Sequence, residues 1–128
     1  MNKIQIENLV YEDVILDISD TDDGVKVCFK GTIDMEYPQA EIEPFLSQIH
    51  ETVIEKKIKN VYCDYQELSY INSSGLRCLV KWIMQLSEIK DSENAYHLFF
   101  ILNAEHKWQL SSLGFIVNMC PSHVHLQT

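Results

Sequence analysis

Two adjacent serines in the middle of the chain are the residues best suited to chemistry. Asn72-Ser73-Ser74-Gly75 lies between a segment typical of a β-strand and one typical of an α-helix. Asn and Ser side chains accept hydrogen bonds from the free N–H groups at the start of a helix. Those N–H groups and the partial positive charge of the helix N-terminus also favour a bound phosphate. The junction therefore has two interpretations, a simple helix cap or an exposed serine phosphoacceptor site.

Other candidate chemistry is weaker. Cys120, His123 and His125 are spaced closely enough to bind a transition metal, but they supply three ligands and the sequence shows no fourth. We therefore predict no metal site, and nothing in the sequence implies a cofactor. A serine hydrolase would need a general base beside Ser73 or Ser74. The sequence has no Gly-x-Ser-x-Gly motif and designates no histidine partner, so the chain is predicted not to be an enzyme.

The apolar pattern predicts a β-hairpin near the start of the chain. Residues 14–18 are mainly apolar, and residues 25–30 alternate between apolar and polar, as in a strand with one buried face. The acidic turn 20–24 between them ends in Asp-Gly, which is a strong hairpin signal. Gly31 is expected to end the second strand, and residues 32–38 are expected to form a loop.

Helices and strands are predicted to alternate after this hairpin. The first helix is expected to begin at Pro44, because proline is tolerated in the first turn of a helix. Later elements are a strand at 61–65, a helix with its apolar face over 76–86, a strand at 96–102 covered on both faces, a helix at 104–112 capped by Asn103 and ended by Leu113-Gly114, and a short strand at 115–117. Residues 118–128 show little pattern and are predicted to be an irregular tail.

This order of elements predicts one α/β domain over residues 1–128, with its core at about 14–117. Strands that alternate with helices pair in parallel through right-handed crossovers. We therefore expect a mixed, mostly parallel sheet that opens with an antiparallel hairpin and has helices packed against it.

Composition excludes several classes of function. The 128 residues include 10 basic and 19 acidic side chains, which give a formal net charge of −9. Nucleic acids and anionic membranes attract a basic surface, so neither is an expected partner. No apolar run approaches the ~18 residues of a membrane span, and the first residues do not resemble a signal peptide. The four cysteines are far apart, which favours a reducing cytoplasm over a disulfide framework.

Residues 70–76, Tyr-Ile-Asn-Ser-Ser-Gly-Leu, resemble the Asp-Ser-Ser-Gly-Leu segment of STAS domains, the bacterial anti-sigma-factor antagonist family. Three other segments support the resemblance in the order that the family has them. Gly31-Thr32-Ile33-Asp34 resembles its Gly-x-Leu/Ile-Asp strand end, residues 61–64 resemble its strand ending in Asp, and Asn103 through Leu113-Gly114-Phe115 resembles its last Asn, helix and Gly-Leu/Phe ending. The resemblance covers roughly residues 14–117 and implies the STAS fold.

The resemblance also implies a regulatory protein-binding module that is switched by phosphorylation and takes part in transcription regulation. In the family, a kinase-type anti-sigma factor binds the serine junction and phosphorylates it, and a metal-dependent serine phosphatase reverses the reaction. The family's Asp-Ser-Ser-Gly pattern places the acceptor at Ser74. A related branch has Asn before its hydroxyl residues and uses the first of them, which makes Ser73 the alternative here. Asn72, in place of the usual Asp, also favours a second hypothesis, a STAS module that acts by constitutive contacts without phosphorylation.

The expected partner-binding surface surrounds this junction. Arg77 and Lys81 lie on the side of the predicted helix away from its apolar residues, where they would contact an acidic rim on a partner or a phosphate. The resemblance adds the loop after the second strand, so the complete predicted surface is Asp34, Asn72, Ser73, Ser74, Gly75, Arg77 and Lys81. Trp82 is expected to be partly buried beside the sheet instead of anchoring a partner. Many family members have a further helix after the last matched segment, and its apparent absence here predicts exposed surface and a possible homodimer.

Overall fold

The structure, a computed structural model, describes residues 4–91 and 93–128. In this part of the chain six strands form one sheet: β1 (Leu9–Tyr11), β2 (Val14–Asp20), β3 (Val25–Ile33), β4 (Asn60–Ile71), β5 (His97–Ile101) and β6 (Val124–Gln127). The α-helices are α1 (Ile42–Glu55), α2 (Ser73–Ser87) and α3 (Lys107–Val117), and a short 3₁₀ turn at Pro38–Ala40 precedes α1.

The strands lie in the sheet in the order in which they occur in the chain. The pairings β1–β2 and β2–β3 are antiparallel, and β3–β4, β4–β5 and β5–β6 are parallel. The predicted hairpin at residues 20–24 is confirmed, because Asp20 pairs with Val25 at its closed end. The predicted mixed, mostly parallel α/β sheet is confirmed as well.

One face of the sheet carries the core. Alternate residues of the central strands are buried and form a single apolar cluster with the buried residues of the three helices. The residues between them, such as Lys26, Tyr62 and Phe99, are only half-buried and point to the other face. The prediction that 96–102 is covered on both faces is therefore wrong. The outward positions of β5 are apolar partly because Phe99 stacks on Tyr62, with ring centroids 5.0 Å apart.

Several boundaries before the candidate site differ from the prediction. Strand β4 was predicted to end at residue 65, but it continues to Ile71. Helix α1 begins at Ile42, and Pro44 lies within its first turn, where it still breaks no helix hydrogen bond. Strand β3 continues past Gly31 to Ile33. Gly31 adopts φ +99°, and a Cβ there would lie 2.2 Å from the carbonyl oxygen of Asp13. Glycine therefore allows the strand to bulge at this point and continue instead of ending.

The C-terminal part differs more. Helix α3 begins at Lys107, contains Gly114 and includes residues 115–117, so the strand predicted there is wrong. Asn103 does not cap this helix, because its side chain accepts a hydrogen bond from the Glu105 N–H in the preceding turn at 3.0 Å. The buried Gln109 fixes the start of α3, since its amide nitrogen donates to two carbonyl oxygens of β4 at 2.7 and 2.9 Å.

The prediction that residues 118–128 form an irregular tail is wrong for the last part of this segment. Residues 124–127 form β6, which pairs in parallel with β5. Val124 is the buried residue of this strand, so its apolar signal was too short to predict. None of the helices in the described part of the chain is long and apolar enough to cross a membrane.

Candidate functional site

The junction between β4 and α2 is built around Asn72. This residue is the N-cap of α2, and its side-chain oxygen accepts a hydrogen bond from the Gly75 N–H at 2.8 Å. Its side-chain nitrogen donates to the carbonyl oxygen of Met35 at 2.9 Å. Its backbone N–H donates to the carbonyl oxygen of Ile33 at 2.8 Å. Asn72 thus joins the start of α2 to the end of β3 and to the loop that follows it.

These contacts give Asn72 a structural role that an aspartate would fill only in part. A carboxylate also caps a helix well, but it has no N–H to donate to Met35 and would place negative charge next to that carbonyl oxygen. The amide satisfies both partners at once. An asparagine at this position therefore fits the packing of the loop better than an aspartate would.

Gly75 lets α2 begin directly against the sheet. A Cβ at this position would lie 2.7 Å from a side-chain carbon of Ile71 and 2.8 Å from one of Ile33. These distances are shorter than ordinary carbon–carbon contacts. The first turn of the helix can approach the ends of β3 and β4 only because residue 75 has no side chain.

The two serines differ in their surroundings. Ser73 is exposed at the first position of α2, whereas Ser74 is half-buried at the second. Ser74 lines an open cavity of about 180 Å³ together with Gln39, Glu43 and Arg77. Both serines lie in the first turn of α2, where backbone N–H groups lack partners within the helix.

Charged groups border the cavity. Lys81 donates a hydrogen bond to Glu43 at 2.8 Å, and this bond, followed by the charge of Glu43, raises the pKa of the lysine. Arg77, one turn before Lys81, is exposed. The surface therefore combines one paired lysine, one acidic side chain and an arginine beside Ser74.

The loop from β3 brings a further predicted residue to this end of the sheet. Asp34 is exposed, and the adjacent Met35 is buried and bonded to Asn72. The parallel pairing of Ile33 with Ile71 fixes the loop beside the junction. The structure thus brings all seven predicted residues to one end of the fold, on the Asp34 loop or along the first three turns of α2. Gly75, however, is buried against the sheet, so its prediction as a partner-contacting surface residue is wrong.

Sequence reasoning missed two lining residues, Gln39 and Glu43. Glu43 had a signal, because it falls on the polar face of α1, but its ion pair with Lys81 depends on the packing of α1 against α2. Gln39 lies in the 3₁₀ turn, which carries no apolar period. Neither contact is encoded in a local motif.

Trp82 lies behind the site, in the core. It is 1% exposed, so it is buried completely and not partly as predicted. Its indole nitrogen donates to the Tyr96 hydroxyl at 2.7 Å. Cys78 is also buried, and its thiol donates to the carbonyl oxygen of Ser74 at 3.4 Å. Burial, with the charge of Glu43 adding to it, raises the pKa of the Cys78 thiol to about 11. This thiol is protonated at neutral pH and supplies no nucleophile to the serine cavity.

The histidines lie away from the serine junction, and so does Cys120. Cys120 is in the core, whereas His123 and His125 contact His97 on the outer side of the sheet. Within residues 4–91 and 93–128, no group of three or more His, Cys, Asp or Glu side chains has a geometry that would hold a metal ion.

Several solved structures resemble this one, and two of them are anti-sigma factor antagonists. An anti-sigma factor antagonist from Mycobacterium paratuberculosis is 19% identical and superposes with a TM-score of 0.57, over 91% of this chain and 90% of that one. The anti-sigma factor antagonist SpoIIAA, in its unphosphorylated form, is 12% identical and superposes with a TM-score of 0.53, over 88% of each chain. No protein-family model matches the sequence, and no curated protein matches it either.

At these identities the likeness establishes the fold. The chain has the fold of the anti-sigma-factor antagonists, the STAS fold, and the fold predicted from the sequence resemblance is confirmed. The match covers about nine-tenths of the chain.

Proposed function

We propose that this chain is a non-enzymatic regulatory module that binds a protein partner and is switched by reversible phosphorylation of Ser74. The observation that carries the proposal is the placement of Ser74 in the first turn of α2, in a cavity that it shares with Arg77. The fold adds support, because two structural neighbours are anti-sigma-factor antagonists and one of them is described in an unphosphorylated form. The partners we propose are a kinase-type anti-sigma factor or similar regulatory kinase and a metal-dependent serine phosphatase, acting in the bacterial cytoplasm on transcription.

The surroundings favour Ser74 over Ser73 as the acceptor. A phosphate on Ser74 would be close to the free N–H groups of the first turn, which favour an anion. It would also be one turn from Arg77, whose planar guanidinium forms strong bidentate hydrogen bonds with phosphate oxygens. Ser73 is more exposed and is the alternative acceptor.

The electrostatics of the cavity give the phosphate a switching effect. It would add a charge of about −1.5 to −2 beside Glu43, on a chain whose formal net charge is already −9. A partner that binds Asp34, Ser73, Ser74, Arg77 and Lys81 would have to desolvate that charge or lose its contacts with the lysine and arginine. A coupling free energy of about 1–3 kcal/mol changes affinity about 5- to 150-fold, which is enough for partner exchange.

Mass spectrometry of the protein purified from its native cells tests this proposal. Peptide mapping of residues 70–81 should locate a single added phosphate on Ser74, and Ser74→Ala should abolish it. Ser69→Ala is the matched control, because Ser69 is an exposed serine three residues before Asn72, outside the helix. A phosphate on Ser73 would move the acceptor by one residue. An unmodified protein under both growth and stress conditions would contradict the switch.

The second candidate is a STAS-type module that binds its partner constitutively. The observation that favours it is the full hydrogen bonding of Asn72, because a junction stabilised in this way presents a fixed surface without any modification. Replacement of both Ser73 and Ser74 by alanine separates the two proposals. Regulation that persists in the double variant supports constitutive binding, and regulation that is lost supports the switch.

A small serine-dependent enzyme is the remote third candidate. It would need a general base beside Ser74, and the acidic group in the cavity, Glu43, is already bonded to Lys81. A turnover that Ser74→Ala abolishes would be required to support it.

A homodimer also stays a prediction. Leu110, Phe115 and Met119 are exposed on or directly after α3, and Phe115 is 72% exposed. Sedimentation of the wild type and of Phe115→Ser tests the dimer, since a dimer formed through this surface would be weakened by the substitution.

A further inference from the structure

Three imidazoles from separate parts of the sequence meet on the outer side of the sheet. His97 is the first residue of β5, His125 lies in β6, and His123 immediately precedes β6. His97 Nδ1 and His125 Nε2 are 2.9 Å apart, within hydrogen-bond distance. The rings of His123 and His125 both stack on His97, each with its centroid 5.1 Å away. Phe99 stacks on His125 and covers one side of the cluster.

β6, which carries His125 and directly follows His123, is attached to the rest of the fold mainly through β5. β6 is an edge strand that pairs only with β5 in the described sheet. The Leu98 N–H donates to the His123 carbonyl oxygen and the Leu102 N–H donates to the Gln127 carbonyl oxygen, both at 2.8 Å. Val124 is the one residue of this strand that is buried. The imidazole contacts therefore act together with the backbone pairing to β5 and the burial of Val124 in holding β6 in the sheet.

Protonation acts directly on this cluster. The hydrogen bond between His97 and His125 needs one nitrogen as donor and the other as acceptor, so it is lost when both rings are fully protonated. A charged His123 beside a charged His97 adds repulsion at a short distance. Burial, followed by the charges of His123 and His125, lowers the pKa of His97. The folded arrangement thus favours the neutral form of His97.

Other elements around the cluster supply little compensating charge. β4 faces it with Asn60 and Tyr62, and the Tyr62 hydroxyl donates to Asp23 at 2.8 Å. Further along β4, Asp64 pairs with Lys26 at 3.4 Å. Ahead of β4, the Lys59 ammonium donates to the Glu93 carbonyl oxygen, which leaves the cluster without a carboxylate partner in these contacts.

We propose that His97, His123 and His125 form a proton-sensitive latch, a cluster of side chains that holds β6 in the sheet near neutral pH. The cluster releases β6 as the pH falls below about 6.5, the ordinary pKa of histidine. Release of β6 exposes the edge of β5. The release of β6 also separates the three imidazoles, so the open state takes up protons that the closed state excludes. This device lies on the outer side of the sheet and acts independently of the serine junction.

Amide hydrogen exchange of the full chain, measured by NMR at pH 7.5, 6.5 and 5.5, tests the latch. Each observed rate is divided by the intrinsic rate at that pH to give a protection factor. The factors of Leu98 and Leu102 should fall between pH 6.5 and 5.5 by up to about tenfold for each proton taken up on opening. The Asn72 amide, which bonds to Ile33 in the β3–β4 region, is the internal reference and should lose less protection.

Two variants and one matched control make the outcome decisive. His97→Gln and His125→Gln should each flatten the pH dependence at Leu98 and Leu102, and His125→Gln serves if the first variant does not fold. His106→Gln removes a histidine at the N-terminus of α3, outside the cluster, and should behave as the wild type. Equal pH dependence in all four proteins would overturn the proposal, as would protection that does not change with pH. An effect that EDTA removes would also overturn it, because a bound metal and not protons would then control β6.

Discussion

The β4–α2 junction and the β5–β6 edge both fix polar side chains at a sheet, but with different kinds of partners. At the junction Asn72 bonds to backbone groups of α2 and of the loop after β3, and none of these groups titrates. At the edge, His97 and His125 bond to each other, so their contact depends on the protons that they carry. The comparison predicts that the junction keeps its hydrogen bonds as the pH changes, whereas the contact between His97 and His125 responds to the pH.

The largest expected effect comes from filling the space at the junction. Gly75→Ala should destabilise the protein by about 1–3 kcal/mol, because its methyl group would clash with buried atoms of Ile33 and Ile71. Gly114→Ala is the matched control, since nothing lies within 4 Å of a Cβ there. This helical position should gain about 0.5–1 kcal/mol from the higher helix propensity of alanine. Urea unfolding of both variants measures the difference, and equal midpoints would show that the junction tolerates a side chain.

A smaller effect is expected from the hydrogen bonds of Asn72. Asn72→Ala removes the cap and the bond to Met35, and should cost about 1–2 kcal/mol in the free energy of unfolding. Asn72→Asp keeps the cap but loses the donor to Met35, so it should be intermediate in stability. Asn103→Asp is the comparison variant, because its corresponding nitrogen is 3.4 Å from its acceptor and contributes less. Wild-type stability of Asn72→Asp would show that the bond to the loop does not hold the site.

Local motifs explain why the junction was predictable and the edge was not. The cap, the serines and the glycine of the junction are consecutive in the sequence, so their chemistry and their position at a helix start could be inferred together. The edge depends on β6, a strand with one buried residue. Its histidines meet only because β6 pairs with β5, from which residues 102–123 separate it in the sequence. Asn103 and Gly114 misled the prediction of α3, because the start of that helix depends on the long-range bonds of Gln109 to β4.

The pH dependence of global stability distinguishes two histidines, His97 at the β5–β6 edge and His50 on α1. Burial lowers the pKa of both His50 and His97. Their neutral forms are favoured in the folded state, so the stabilisation is complete above the unfolded pKa of about 6.5 and is lost as the pH falls below it. His50 is half-buried on α1, and its Nδ1 lies 2.6 Å from the hydroxyl of the buried Tyr96, which itself accepts from Trp82; this contact favours the neutral ring. Urea midpoints between pH 7.5 and 5.5 should therefore fall in the wild type.

Substituting His50 and His97 one at a time shows which region causes the loss of stability at low pH. His50→Gln should reduce the pH dependence of global unfolding and leave the opening of β6 unchanged. His97→Gln should flatten the local opening of β6 and have the smaller effect on the global transition. The same pH response in both variants would mean that the region around His50 and the β5–β6 edge unfold as one unit. That result would contradict the proposed difference between the two regions.

The smallest effect on stability is expected from the ion pair between Lys81 and Glu43. The lysine side chain is 60% exposed, and exposed pairs contribute little because water and salt screen them. Lys81→Gln should leave the urea midpoint almost unchanged, yet it frees the Glu43 carboxylate beside Ser74 and makes the cavity more negative. Phosphorylation of Ser74 should therefore decrease in this variant. Lys26→Gln, which breaks a pair with Asp64 on the outer face of the sheet, should leave phosphorylation unchanged. An equal decrease in both variants would indicate that net charge, and not the cavity, controls the modification.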